Sequence, residues 1–377
     1  MTSYLLIEGE RLAWQSESQA KVPKNCIYVD DTLRADEAMR LARAGTAMLW
    51  QGDFQNAKQL LAAMARKIDS KKPKIAPTAK EQFHLYRLAQ AQKAQILGML
   101  LIRIESDFTV VLKRAPDIRL AAQQVWHWQE PFVVSLRELL GIIGAYEWRK
   151  NGVSVPVLGD KAKIYPYYGV FSPIRGEYLD LVATTPLPPT CRQAMEIGVG
   201  TGVLSAILAK RGVELVIATD IADRAIECAR FNIAQLGYAD KVRILKQAFF
   251  PQESVDLIVC NPPWLPAKAS TSLEAAVYDP DSQMLKGFLS GVANHLNSDG
   301  QAWLIISDLA ERLGLRAEGE LLGWIEAAGL SVAARYDTRP KHKKAQESMD
   351  PLSQARREEV TSLWVLKKYQ PKAGICE

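Results

Sequence analysis

Histidine and cysteine are scarce in this 377-residue chain, with four of the first and five of the second. The cysteines (Cys26, Cys191, Cys228, Cys260 and Cys376) form no Cys-x-x-Cys pair, and their number is odd. Together with the widely spaced histidines, this argues against a structural or catalytic metal and for reduced thiols in a cytoplasmic protein. Long apolar runs are missing as well. The longest, Ile96-Leu97-Gly98-Met99-Leu100-Leu101-Ile102, falls far short of a membrane span. The first ten residues lack the basic start and apolar core of a signal peptide, so none is expected. No charge sign dominates: a net +5 with 24% charged residues permits a nucleic-acid partner without demanding one.

What remains is a soluble composition, 48% hydrophobic, on a chain long enough for two domains. The pattern predicts a mainly helical N-terminal domain over residues 1–160, with a role in substrate recognition, and a second domain over 161–377. Asp53 is placed to cap a helix with Phe54, Ala57, Leu60, Leu61 and Met64 on one face. Thr78-Ala79-Lys80-Glu81 reads as a capping box opening a long helix. Further helices are expected from Asp117 to Trp126 and from Ser135 to Trp148, and hairpins over Leu5–Gln15 and Leu101–Lys113. Lys71-Lys72-Pro73-Lys74-Ile75-Ala76-Pro77 reads as an exposed loop.

After the proline-rich stretch 184–190, strands and helices alternate. Strands are predicted at Ala194–Ile197, Leu215–Asp220, Val242–Gln247, Val255–Cys260 and Gln301–Ser307, with helices Gly202–Arg211, Ala222–Leu236, 281–297 and Glu318–Ala328. Such alternation means a parallel sheet covered on both faces. Two closing strands, Leu330–Asp337 and Ser362–Lys368, lack a crossover helix and predict a terminal antiparallel hairpin.

Two short motifs carry the chemistry. The first is Glu196-Ile197-Gly198-Val199-Gly200-Thr201-Gly202, between a strand and a helix. Such a turn lets the backbone approach a ligand, and dinucleotide enzymes use the same device. The dinucleotide fingerprint, however, wants its third glycine at position 203, which is Val203. Glu196, an acid before the first glycine, suits a cationic ligand better than a pyrophosphate. Asp220 ends the next strand, where an acid accepts ribose hydroxyls or caps the following helix.

The second motif is Asn261-Pro262-Pro263-Trp264, at the end of the strand Val255–Cys260. An amide or aromatic amine is a poor nucleophile because its lone pair is delocalised. The side-chain oxygen of Asn261 and the carbonyl of Pro262 can grip its N–H groups and free that lone pair. The consecutive prolines hold the carbonyl in place, and Trp264 offers a face for a planar group. The other reading is a proline turn with a core tryptophan.

In this order and spacing the two motifs resemble the class I S-adenosylmethionine-dependent methyltransferases, in the methyltransferase small domain group. That group includes HemK-like protein-glutamine N5-methyltransferases and RNA N-methyltransferases. The resemblance implies a Rossmann-like seven-stranded α/β fold and S-adenosyl-L-methionine as cofactor, held by Glu196, Gly198, Gly200, Gly202, Asp220, Ile221, Phe249 and Asn261. It implies catalysis by Asn261, Pro262 and Trp264, where HemK-like enzymes favour tyrosine at the last position. The acid that many relatives aim at the adenine amine is missing: Ala248 stands there, with Phe249 left to pack on the base. Gly169-Val170-Phe171-Ser172-Pro173-Ile174-Arg175-Gly176-Glu177 resembles the segment that closes over the cofactor in HemK-like enzymes. Phe171, Arg175, Lys341, Lys343 and Lys344 are the candidate substrate contacts.

The expected partner is RNA, through an exocyclic base amine. The alternatives are a HemK-like protein-glutamine substrate and a non-catalytic scaffold of the same fold.

Overall fold

The computed structural model describes residues 3–128, 130–173, 176–269, 272–339 and 352–370. The chain divides into two compact units, Met1–Glu147 and Trp148–Glu377. In the first, β1 (Tyr4–Ile7), β2 (Glu10–Trp14), β3 (Asn25–Val29), β4 (Thr46–Trp50), β5 (Leu100–Ile104) and β6 (Phe132–Ser135) form one sheet, ordered β1-β2-β6-β5-β4-β3. Its edges β1 and β3 come back into contact, so the sheet curls around Leu5, Ile7, Leu12, Leu49, Leu101 and Val133. The helices are α1 (Ala35–Arg43), α2 (Phe54–Asp69), α3 (Ala79–Leu97), α4 (Arg119–Gln123) and α5 (Leu136–Asn151).

Helices cover more of this unit than strands do, as the sequence predicts, yet a sheet organises it. The strands escape a periodicity reading because Thr46–Trp50 and Leu100–Ile104 are buried on both faces and do not alternate.

Local signals for helix starts hold. Asp53 accepts from Gln55 N at 2.8 Å, and its five expected apolar positions are buried. Thr78 Oγ1 accepts from Glu81 N at 3.2 Å. Three expectations need correction. The hairpin over Leu101–Lys113 does not form, because β4 and β6 occupy both sides of β5. The lost strand becomes a loop whose Lys113 carbonyl receives the first amide of α2. The helix from Asp117 shrinks to α4, as Trp126 turns inward onto Phe132 with ring centroids 5.0 Å apart. The domain boundary at 160 also moves. Residues 153–164 form the small hairpin β7 (Val153–Ser154) and β8 (Lys163–Ile164), whose Val155, Leu158 and Ile164 sit in the second unit's core.

The second unit begins in earnest with α6 (Glu177–Thr184). It continues with β9 (Gln193–Ile197), α7 (Val203–Lys210), β10 (Leu215–Asp220), α8 (Asp223–Gln235), β11 (Val242–Lys246), β12 (Val255–Cys260), α9 (Ser272–Ala275) and α10 (Gln283–Val292). Then come β13 (Leu296–Ser307), α11 (Leu309–Arg312), α12 (Glu320–Ala327), β14 (Leu330–Thr338), α13 (Ser353–Glu358) and β15 (Thr361–Lys368). Strand order is β11-β10-β9-β12-β13-β15-β14, and β15 runs antiparallel to both neighbours. This is the Rossmann-like sheet with a terminal antiparallel hairpin that the sequence predicts.

The sheet is a watershed between two cores. Leu257, Val259, Trp303 and Ile305 point toward α6, α7 and α8, while Ile258, Cys260, Leu304 and Ile306 point toward α10 and α12. Truncating one wholly buried residue of the interior strand β13 removes contacts that nothing refills. Leu304→Ala should lower the unfolding free energy of this unit by roughly 2–5 kcal/mol in a denaturant titration. A loss under about 1 kcal/mol would mean that Leu304 is not core.

Candidate active site

Strands β9 and β10 are parallel neighbours, and β12 pairs with the other side of β9. Cys260 lies opposite Ile197 in that register, so the chain leaves both strands at the same edge and side by side. Strand order reverses at this point, which is where open α/β sheets bind ligands. The glycine turn, Asp220 and Asn261 are thereby brought together.

All three glycines of the turn need positive φ: 80° at Gly198, 49° at Gly200 and 81° at Gly202. That region is costly for any side chain. At Gly198 a Cβ would also displace the flexible end of Met284, at 2.8 Å from Cε, whereas at Gly200 it would meet nothing within 4 Å. The turn is therefore open at Gly200.

Asp220 ties this turn to the next helix. One carboxylate oxygen accepts from Gly200 N at 3.1 Å and the other from Ala222 N at 3.0 Å. A carboxylate has about four acceptor positions, so two remain open to a ligand. The helix-cap role weighed from the sequence does not form: Ala222 is the N-cap of α8, with no side-chain cap bond, and Asp220 braces the backbone ahead of it. Beside it, Ile221 is 70% exposed, an apolar side chain left open at the mouth of the site.

Glu196 has hydrogen-bond partners within the protein itself. It is buried beneath the turn, and Ser205 in the first turn of α7 donates to it through its backbone N at 2.8 Å and through its hydroxyl. Its first task is to hold α7 against β9. Burial raises its carboxyl to about 8, against the lowering effect of the two Ser205 bonds and with help from the nearby Asp220 charge.

Phe249 adopts φ 54°, a strained value for a bulky residue, and its carbonyl accepts from Thr219 Oγ1 at 2.8 Å. Its ring lies on Gly287 of α10, where a Cβ would come within 2.3 Å. Ala248 is exposed and, as expected, supplies no acid.

In the Asn-Pro-Pro-Trp loop, Trp264 Nε1 donates to Asn261 Oδ1 at 3.0 Å. The indole is half-buried and packs against both cores. Trp264 is thus partly the core tryptophan of the plainer reading, and it also aims the Asn261 amide. An amide oxygen has a second lone pair, which leaves Asn261 able to accept from a substrate.

Sequence reasoning missed three buried polar residues. Arg316 donates to the carbonyl of Trp264 at 3.4 Å and pairs with Glu311 at 3.2 Å, bracing the loop from behind. Asp279 accepts from Met284 N at 3.0 Å and Leu285 N at 3.1 Å, and its own N–H returns to the Leu265 carbonyl at 2.8 Å. Asn232 of α8 accepts from Tyr165 N at 2.8 Å and donates to the Thr201 carbonyl at 3.0 Å. A lone polar residue between apolar helix neighbours, as Asn232 is between Ala229 and Ile233, was the available signal.

Among the substrate candidates, Phe171 is 37% exposed and precedes α6, while Arg175, Lys341, Lys343 and Lys344 lie outside the described residues. No group of three or more candidate metal ligands occurs among the described residues.

Residues 164–313 match the family profile of the methyltransferase small domain. Among curated proteins, the chain is 30% identical over 127 residues to a tRNA1(Val) (adenine(37)-N6)-methyltransferase of Bacteroides thetaiotaomicron, covering 32% of this chain and 54% of that protein. It is 29% identical over 151 residues to a release factor glutamine methyltransferase of Cereibacter sphaeroides, covering 36% and 52%. The chain spans about half the length of both. Among solved structures, a ribosomal protein L11 methylase from Lactobacillus delbrueckii subsp. bulgaricus is similar at 18% identity and TM-score 0.39, over 58% of this chain and 91% of that one.

The raised Glu196 carboxyl gives a pH test of this arrangement. Its folded value of about 8 lies above the ordinary 4.5, so the stability tied to the neutral acid is complete below pH 4.5 and is lost as pH rises through 8. Glu196→Gln should flatten the decline of unfolding free energy between pH 5 and 8 in denaturation series. An unchanged pH slope would show that Glu196 is ionised when folded.

Proposed function

We propose that this chain is an S-adenosyl-L-methionine-dependent N-methyltransferase acting on a planar nitrogen, an exocyclic base amine of RNA. The observation that carries the reading is the adjacency of the glycine turn and the Asn-Pro-Pro-Trp loop on the paired strands β9 and β12. The residues fit the cofactor: an open glycine turn, Asp220 with acceptor positions to spare and an exposed Ile221 beside it. When bound, the cofactor supplies an electrophilic methyl group.

The protein's part is positioning. Asp220 takes the ribose hydroxyls. Burial holds Glu196 as the neutral acid in the free protein, and a cationic ligand in the turn would draw it into its ionised form. Asn261 Oδ1 and the Pro262 carbonyl accept the two N–H bonds of the acceptor, concentrating its lone pair toward the methyl. Trp264 holds the amide of Asn261 in that orientation through its indole N–H. No base need act during attack, because the product cation sheds its proton readily to water.

RNA is favoured by the name of the tRNA relative and by the basic stretch Arg339, Lys341, Lys343 and Lys344. The name of the release-factor relative favours the second reading, a protein glutamine. The first unit serves substrate recognition under either. A scaffold without activity has less support, since such a scaffold need not keep Glu196, Asp220 and Asn261 together on neighbouring strands. No helix among the described residues is long and apolar enough to cross a membrane.

Calorimetry should show binding of S-adenosylmethionine and its demethylated product but not NAD. Asp220→Ala should weaken that binding about tenfold, roughly 1.4 kcal/mol. Tight NAD binding with no response to S-adenosylmethionine would overturn the reading.

Radiolabelled methyl transfer to RNA and protein fractions from a deletion strain identifies the acceptor. Asn261→Ala should abolish that transfer while cofactor affinity stays within a few-fold. A folded variant that keeps most of its turnover would rule out the planar-nitrogen mechanism.

A further inference from the structure

One surface of the second unit carries rings and guanidinium groups in alternation. The segment 165–171 lies across α8, anchored by Val170 packed with Ala225 and Cys228, and by the Asn232 side chain on the Tyr165 backbone. On it, Arg149 Cζ sits 3.5 Å from the Tyr167 ring centroid and 5.4 Å from that of Phe231. Arg224 Cζ lies 5.7 Å from the Tyr168 ring. Tyr165 meets Phe231 edge-on at 5.7 Å, and Tyr167 lies 6.2 Å from it. Phe231 remains 36% exposed on a solvent-facing turn of α8. Single cation–ring pairs occur elsewhere in the chain, but here two guanidinium groups and four rings gather around one helix and the segment across it.

The place of this surface matters as much as its chemistry. Arg224 stands in the first turn of α8, three residues after the exposed Ile221 and four after Asp220. The same Asn232 that holds Tyr165 donates to Thr201 in the glycine turn. The ring–guanidinium surface is therefore fixed to the mouth of the cofactor site by shared backbone.

We infer that this surface binds single-stranded RNA flanking the acceptor base. Base faces stack on Tyr168 and Phe231, and Arg149 and Arg224 hold the phosphates between them. Rings accept any base, so affinity gained this way tolerates sequence. Guanidinium groups stacked on rings are pre-oriented and remain charged at any working pH. A double helix buries its base faces, so it would use only the cationic half of the surface. The inference rests on the methyltransferase reading and names its substrate class.

Fluorescence anisotropy with labelled twelve-nucleotide oligo(U) and oligo(A), over a range of salt, tests it with the full chain. The single strands should bind more tightly than a duplex of equal length. Phe231→Ala and Tyr168→Ala should each weaken single-strand binding about tenfold with little change in salt slope. Arg149→Gln and Arg224→Gln should each reduce the slope of log affinity against log salt by roughly 0.7. Phe231→Tyr and Tyr168→Phe keep the rings and should keep the affinity, which separates stacking from misfolding.

Calorimetry with S-adenosylmethionine, run on every variant, should give wild-type affinity. Folded Ala variants that hold oligonucleotides like the wild type would overturn the inference. So would a wild-type chain that binds S-adenosylmethionine and no single strand, an outcome that leaves the methyltransferase reading standing and points to a protein acceptor. If S-adenosylmethionine does not bind the wild type, the methyltransferase reading falls, and the oligonucleotide results alone decide the surface.

Discussion

The pairing of β9 with β12 is the contact on which the site depends. These strands are distant in sequence, and the segments between them form β10, β11 and their helices on one side. Parallel register sets Ile197 beside Cys260, so the glycine turn and Asn261 emerge together. A slip of one residue would turn every side chain of β12 to the opposite core. That slip is resisted because Leu257 and Val259 fit one core and Ile258 and Cys260 the other, all wholly buried.

Charge is arranged around this junction with two carboxylates in unlike settings. Asp220 is half-buried and accepts from two backbone amides. Glu196 is enclosed, and its carboxyl rises to about 8. The enclosed acid shapes the field under the turn, while the more open one can meet hydroxyls directly. Their proximity is itself a cause of the Glu196 rise, as like charges in a low-dielectric interior resist joint ionisation.

Buried polar side chains do the bracing that apolar packing cannot. Arg316 fixes a carbonyl of the Asn-Pro-Pro-Trp loop, Asp279 starts α10 and ties back to that loop, and Asn232 joins the 165–171 segment to the glycine turn. Hydrogen bonds are directional, so each sets a position within a few tenths of an ångström where hydrophobic contact would allow sliding. Unmet partners in such places are costly, which makes these braces all-or-none features.

The local pattern of the chain determined its helix starts, the strands of the second unit and the two motifs. Caps such as Asp53 and Thr78, and turns such as Gly198–Gly202, act through neighbouring residues and are legible one at a time. Of the curled sheet of the first unit only the β1–β2 hairpin was legible. Strands β4 and β5 are short and buried on both faces, so they carry no period to distinguish them from helix. Their pairing is non-local, with β2 beside β6 and β4 beside β5. Tertiary structure alone also decided that Glu196 faces Ser205, that Trp264 splits its role between core and Asn261, and that Arg149 stacks on Tyr167. Each joins residues whose separation is set by how helices pack on the sheet, and sequence spacing carries no record of that distance.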